Sequence, residues 1–97
     1  MPFPEEAKVV AVADQVSCDL NGEAAILHLG SGVYYGLDRT GAWIWESIQV
    51  PRTVAEIRAG LVARYDVEPE RAARDLDALL ADLAREGLVE IRNEPTA

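Results

Sequence analysis

The chain has one cysteine, Cys18, and one histidine, His28, and this scarcity narrows its chemistry before any pattern is considered. A single thiol excludes an internal disulfide. Zinc sites want Cys and His in paired spacings and calcium loops want clustered carboxylates, whereas the acids here are scattered along helical segments. No metal and no cofactor is expected. Nucleophilic catalysis needs a base beside the nucleophile and a third group to orient that base. Cys18 and His28 lie in separate strand-like segments with no such group placed beside them, so a structural role suits each, and no catalytic residue is assigned.

Cations are also few: nine Lys and Arg stand against 17 Asp and Glu, a formal net charge of −8. A field of that sign repels nucleic acid and anionic lipid and favours a basic partner. No apolar run reaches membrane-spanning length and no signal-peptide pattern is visible, which points to the cytoplasm and away from membranes. Gly30, Gly32 and Gly36 do not form a phosphate loop, because no Gly-Lys-Ser/Thr follows them.

What is present suits one small globular domain: 97 residues, 49% of them hydrophobic. Residues 1–8, with Pro2 and Pro4, read as an extended lead-in, 9–91 as the domain, and 92–97 as a polar tail with nothing to bury. Residues 9–13 and 15–20 are strand material broken at Asp14. The Asn21-Gly22 turn, residues 24–29, the Gly30-Ser31-Gly32 turn and residues 33–37 continue this into a three-stranded meander.

Helical spacing then takes over. Asp38 is a suitable N-cap for a first helix over 40–48, and Thr53 with Glu56 forms a capping box for a second carrying Val54, Ile57, Leu61 and Tyr65. Pro69 opens a third, longest helix that stops at Glu86-Gly87, and residues 88–91 add a short terminal strand. Strands followed by helices give an α+β fold: a three-stranded antiparallel sheet followed by three helices.

In the third helix Ala72, Ala73, Leu76, Leu79, Leu80 and Leu83 form one apolar arc, bordered by an acidic stripe of Glu68, Asp75, Asp82 and Glu86. Charge runs usually face solvent. Here the stripe is set against a meander strand expected at a sheet edge, and such an edge can accept an extended peptide as an added strand. Tyr34 and Tyr35 lie on opposite faces of that strand, and core packing alone accounts for them and for Trp43 and Trp45 as well as partner contact does. A DNA-reading helix would be basic, but residues 68–86 hold six acids against Arg71, Arg74 and Arg85.

Several ordered pieces resemble the PqqD-like family: Ile26-Leu27-His28-Leu29, Gly32-Val33-Tyr34-Tyr35-Gly36-Leu37-Asp38, Thr40-Gly41-Ala42, Tyr65-Asp66-Val67, Pro69-Glu70-Arg71-Ala72, Leu79-Leu80 and Gly87-Leu88-Val89. The family's asparagine before the first helix is Asp38 here, which keeps the capping ability. The resemblance implies a winged helix-turn-helix that binds, without catalysis, the leader of a ribosomally synthesised precursor peptide. It implies a ladder from Val33, Tyr34, Tyr35, Gly36 and Leu37, and a groove wall from Ala72, Asp75, Leu76, Leu79, Asp82 and Leu83. Its form is most similar to the stand-alone binders of lasso-peptide pathways, which act with a separate leader peptidase on basic, partly apolar leaders. The pyrroloquinoline quinone binder, partnered by a radical enzyme, and a winged-helix transcription regulator are the alternatives. A monomer or weak dimer is expected, since an open edge can pair with itself.

Overall fold

The Asn21-Gly22 dipeptide fixes the first hairpin of the computed structural model, which describes residues 3–92. Both residues are left-handed, at φ 60° and 94°, as a tight two-residue hairpin turn requires, and a side chain at Gly22 would strain it. The turn joins β2 (Gln15–Leu20) to β3 (Glu23–His28), and β4 (Tyr34–Leu37) completes the meander with Leu27 opposite Tyr34 and Ala24 opposite Leu37.

Residues 9–13 do not join this meander. β1 (Lys8–Ala11) is instead the centre of a second antiparallel sheet, flanked by β5 (Arg52–Thr53) and β6 (Val89–Arg92). Lys8 lies opposite Arg92, so the ladder takes in one residue beyond each end of the expected 9–91 unit, while residues 93–97 of the expected tail lie outside the described residues. At the end of the strand Ala11 N–H donates to the Ile48 carbonyl at 2.8 Å, and just past it Val12 N–H donates to that of Leu88 at 3.0 Å, which keeps these backbone donors satisfied. The architecture remains α+β, with the second sheet tying β1 to the distant β6.

The helices begin where the caps place them. Asp38 accepts Gly41 N–H at 2.8 Å to start α1 (Arg39–Ser47). Thr53 and Glu56 exchange bonds of 2.8 and 3.1 Å at the head of α2 (Val54–Tyr65), and those bonds hold the Glu56 carboxyl below its ordinary pKa. Pro69 is the first residue of α3 (Pro69–Arg85). That helix ends in a Schellman arrangement: Gly87 N–H donates to Ala84 at 3.1 Å and Leu88 N–H to Leu83 at 2.9 Å.

All three helices and both sheets feed one core that includes Val9, Ile26, Leu37, Ile44, Ile57 and Leu76. Each such side chain contributes roughly 1.5–3 kcal/mol by leaving water. Among the described residues no polar side chain is buried with them. This packing holds α1 against β3 and β4 and brings Leu61 of α2 and Leu76 of α3 beside β4, which sets the geometry of that edge.

Candidate functional site

Among the described residues, β4 is an edge strand in the order β2-β3-β4, paired only with β3. His28 N–H donates to the Val33 carbonyl at 3.0 Å, so this is a bonded pair. Bonded and non-bonded pairs alternate along an antiparallel ladder, so the N–H and C=O groups of Tyr34 and Gly36 point away from β3 to the open edge. They are what an added strand would bond to.

Beside that edge lies a groove of about 550 Å³ between β4, the start of α1 and α3. Leu37, Ile44, Leu61 and Leu76, all buried residues, give it an apolar floor, and Tyr35, Gly36, Asp38, Thr40, Asp75 and Leu79 stand around it. Gly41 also lines it, and a Cβ there would come within 3.1 Å of Leu37 Cδ2 and 3.3 Å of Asp38 Oδ1. The missing side chain therefore lets the first turn of α1 close against the end of β4.

The two tyrosines separate as alternation requires. Tyr34 is 73% exposed, whereas Tyr35 is half-buried in the groove lining with its hydroxyl 3.5 Å from Asp82 Oδ2. Burial, and then the negative charge of Asp82, push the Tyr35 hydroxyl above its ordinary pKa of 10.0. Asp82 is also paired with Arg85, and Asp75 stands 3.8 Å from Arg71 with both side chains largely exposed. Exposed pairs of this kind are worth under about 1 kcal/mol. The acidic stripe is thus partly answered by its own helix, and it offers a basic ligand a modest rather than a dominant attraction.

Of the residues expected at the site, Tyr35, Gly36, Leu37, Asp75, Leu76 and Leu79 come together in the groove. Ala72 and Leu83, at 2% and 0% exposure, are sealed in the core and do not line it. Asp82 reaches the lining only through Tyr35. Val33 precedes the strand, and its N–H is directed at Ser31 Oγ at 3.4 Å inside the turn, so it is not an edge donor. Thr40, Gly41, Ile44 and Leu61 belong to the groove and were not expected there. The cap that sets Asp38 against Gly41 could have placed the first two; nothing local marks the others.

Cys18 and His28 cannot cooperate. Cys18 is paired with Ala25 and His28 with Gln15, positions of opposite parity, so the two side chains point to opposite faces of the sheet. His28 Nδ1 accepts Ser31 N–H at 3.1 Å and so braces the second turn.

A larger cleft, about 610 Å³, lies between β2, α1 and the end of α2, and Trp43, Trp45 and Tyr65 line it. Its aromatics already serve packing. Trp43 meets Tyr65 edge to face at 6.4 Å, Arg64 stacks over Tyr65 at 5.7 Å, and a Cβ at Gly60 would come within 2.5 Å of Trp43. The smaller groove is preferred as the site because it alone adjoins the open β4 edge.

The chain is similar in structure to TbiB1, solved in complex with the TbiA(beta) leader peptide, at a TM-score of 0.78 and 31% identity over 90% of this chain and 99% of that one. It is also similar to lasso peptide synthetase B1 complexed with the leader peptide, at a TM-score of 0.74 and 24% identity over 84% of this chain and 96% of that one; at that identity the likeness shows the fold. No curated protein matches the chain significantly. The family described as coenzyme PQQ synthesis protein D (PqqD) matches residues 23–89, from β3 through all three helices to the start of β6. With the greater part of its sequence matched in this way, the chain belongs to the PqqD family.

Proposed function

We propose that this protein binds the leader of a ribosomally synthesised precursor peptide, of the lasso class, by strand addition at β4, and presents it to a separate leader peptidase. The observation that carries this is the open edge of β4, with Tyr34 and Gly36 turned outward beside an apolar groove. An extended peptide bonds to those groups, each bond adding roughly 0.5–1.5 kcal/mol. Alternate side chains of the peptide enter the groove over Leu37, Ile44 and Leu76, and a basic residue is placed near Asp75.

Binding is the whole of the chemistry in this reading, since Cys18 and His28 face apart. The likeness to TbiB1, itself solved with a leader peptide, supports leader binding, and the resemblance to the stand-alone binders of lasso-peptide pathways favours a lasso-type leader over the precursor of pyrroloquinoline quinone. The acidic α3 disfavours a DNA-binding regulator. Among the described residues no helix is long and apolar enough to cross a membrane, in keeping with a binder that works in the cytoplasm.

The test is a fluorescence-anisotropy titration with a labelled lasso-precursor leader, a pyrroloquinoline quinone precursor, a scrambled peptide and a DNA duplex. Saturable binding to the lasso leader is the expected result, weakening modestly as salt rises. Binding to the duplex alone, or to none of the four, would overturn the function.

A further inference from the structure

His28 ends β3 on the same face as the buried Ala24 and Ile26, and it is itself half-buried. Three parts of the chain meet at its ring and backbone. The first is the turn into β4: His28 N–H donates to the Val33 carbonyl at 3.0 Å, its carbonyl accepts Gly32 N–H at 2.8 Å, and Nδ1 accepts Ser31 N–H at 3.1 Å. The second is the loop between β1 and β2. A Cβ at Gly30 would lie 3.0 Å from His28 Cε1 and 3.1 Å from Asp14 Oδ2, and the Asp14 carbonyl accepts Leu29 N–H at 3.1 Å. The third is the end of α3, where a Cβ at Gly87 would lie 3.5 Å from His28 Nε2. The imidazole thus bridges the entry to β4 and the exit of α3, the strand and the helix that flank the groove.

Nδ1 accepts Ser31 N–H only while it carries no proton. A histidine gains its second proton between about pH 5 and 8, and both ring nitrogens are then donors. Donor then faces donor at Ser31, and the bond is lost. The charges around the ring are acidic: Asp14 across Gly30, and Glu86 immediately before Gly87, where the negative end of the α3 dipole also lies. Asp82 and Arg85, earlier in that helix, answer each other, and Gln15, opposite His28 on the ladder, is neutral. An imidazolium is therefore drawn from the turn toward the Asp14 carboxylate or the end of the helix. The segment that starts β4 loses its brace.

Resting on the function proposed above, we infer that His28 is a positioning residue of the leader site: its neutral ring holds β4 in place beside α3, and its protonation releases the strand. Leader capture is then set by pH. The binding-competent form is whole above the imidazole range and is depleted as pH falls through it, and the apparent affinity falls with the competent fraction.

The test is an anisotropy titration of the full chain with a labelled lasso-precursor leader at about pH 8 and about pH 5.5, on either side of the ordinary imidazole range. The unmodified protein should bind at least about threefold more weakly at the lower pH, the worth of one hydrogen bond. His28→Asn places a neutral oxygen where Nδ1 stands, so it should bind within about twofold of the unmodified protein at the higher pH and show little of the acid loss. His28→Leu fills the space but accepts nothing, and it should bind about threefold more weakly at the higher pH, again without the acid loss. Equal acid losses in the unmodified protein and His28→Asn, or unimpaired binding by His28→Leu, would overturn the inference. Should His28→Leu fail to fold, the other two proteins decide. The Ser31 amide signal in a nitrogen–proton correlation spectrum gives a readout without leader: it should move through the imidazole range, and an unmoved signal would count against the brace. Failure of the unmodified protein to bind leader at the higher pH would bring down the proposed function itself, and the Ser31 signal would still decide on His28.

Discussion

In the β5-β1-β6 sheet the central strand is sealed: Val9 is 0% exposed, and its cross-strand partners come from residues 52 and 91. In the β2-β3-β4 sheet the strands are joined by tight turns, β2 is exposed along nearly its whole length, and β4 is open on one side. The first sheet gathers distant parts of the chain and buries them. The second is built from local pairings and leaves one edge open, the edge at which the leader is proposed to add. The contrast teaches that substitutions in one sheet should register as stability and in the other as affinity.

The sharpest way to break that division is a charge in the sealed strand. Val9→Asp strands a carboxylate in the core and should cost about 4 kcal/mol or more, a large part of the roughly 5–15 kcal/mol of a small domain. Chemical denaturation will show it as a large drop in midpoint, and leader binding should be lost only as the fold is lost. Leu79→Arg addresses the other side: leader affinity should fall by more than about tenfold as the groove is blocked, with the helical signal retained.

Proline substitutions sharpen the comparison to single backbone groups. Gly36→Pro removes an outward donor and should weaken leader binding about three- to tenfold, the worth of one hydrogen bond, in an anisotropy titration. Val33→Pro removes a donor that stays within the turn and should have the smaller effect on binding. Equal losses would mean that the alternation assigned to β4 is out of step.

The smallest expected effect concerns Tyr35. Its hydroxyl has a raised pKa in the fold, so its contribution is fully present below the unfolded value near 10 and lost as pH rises through the folded value. Denaturation of Tyr35→Phe and the unmodified protein, compared from pH 8 to above 10, should show the unmodified protein losing its small advantage only at the alkaline end.

The parts of this molecule that were legible in its sequence are those with local causes. Asp38, the Thr53–Glu56 pair, Pro69 and Asn21-Gly22 each act within a few residues, and each marks the boundary it was expected to mark. The second sheet was not legible, because nothing near Val9 indicates Arg52 or Ile91 as its partners. The groove divides in the same way. The leucine arc of α3 pointed to Leu76 and Leu79, and strand parity set Tyr34 and Tyr35 on opposite faces without choosing between them, whereas Leu61 enters from α2 by tertiary packing alone. Ala72 and Leu83 were drawn into the expected wall because they share the apolar arc with Leu79; the arc is wide enough that part of it faces the core and only part the groove.

The late position of β6 bears on how the protein survives its own synthesis. The meander, with its bare edge, is complete well before β6 leaves the ribosome to pair with β1 and close the sealed sheet. Until then neighbouring nascent chains carry adhesive strands without a finished fold to restrain them. The surplus of acids over bases then acts as colloidal protection, holding half-made copies apart by mutual repulsion until each can close.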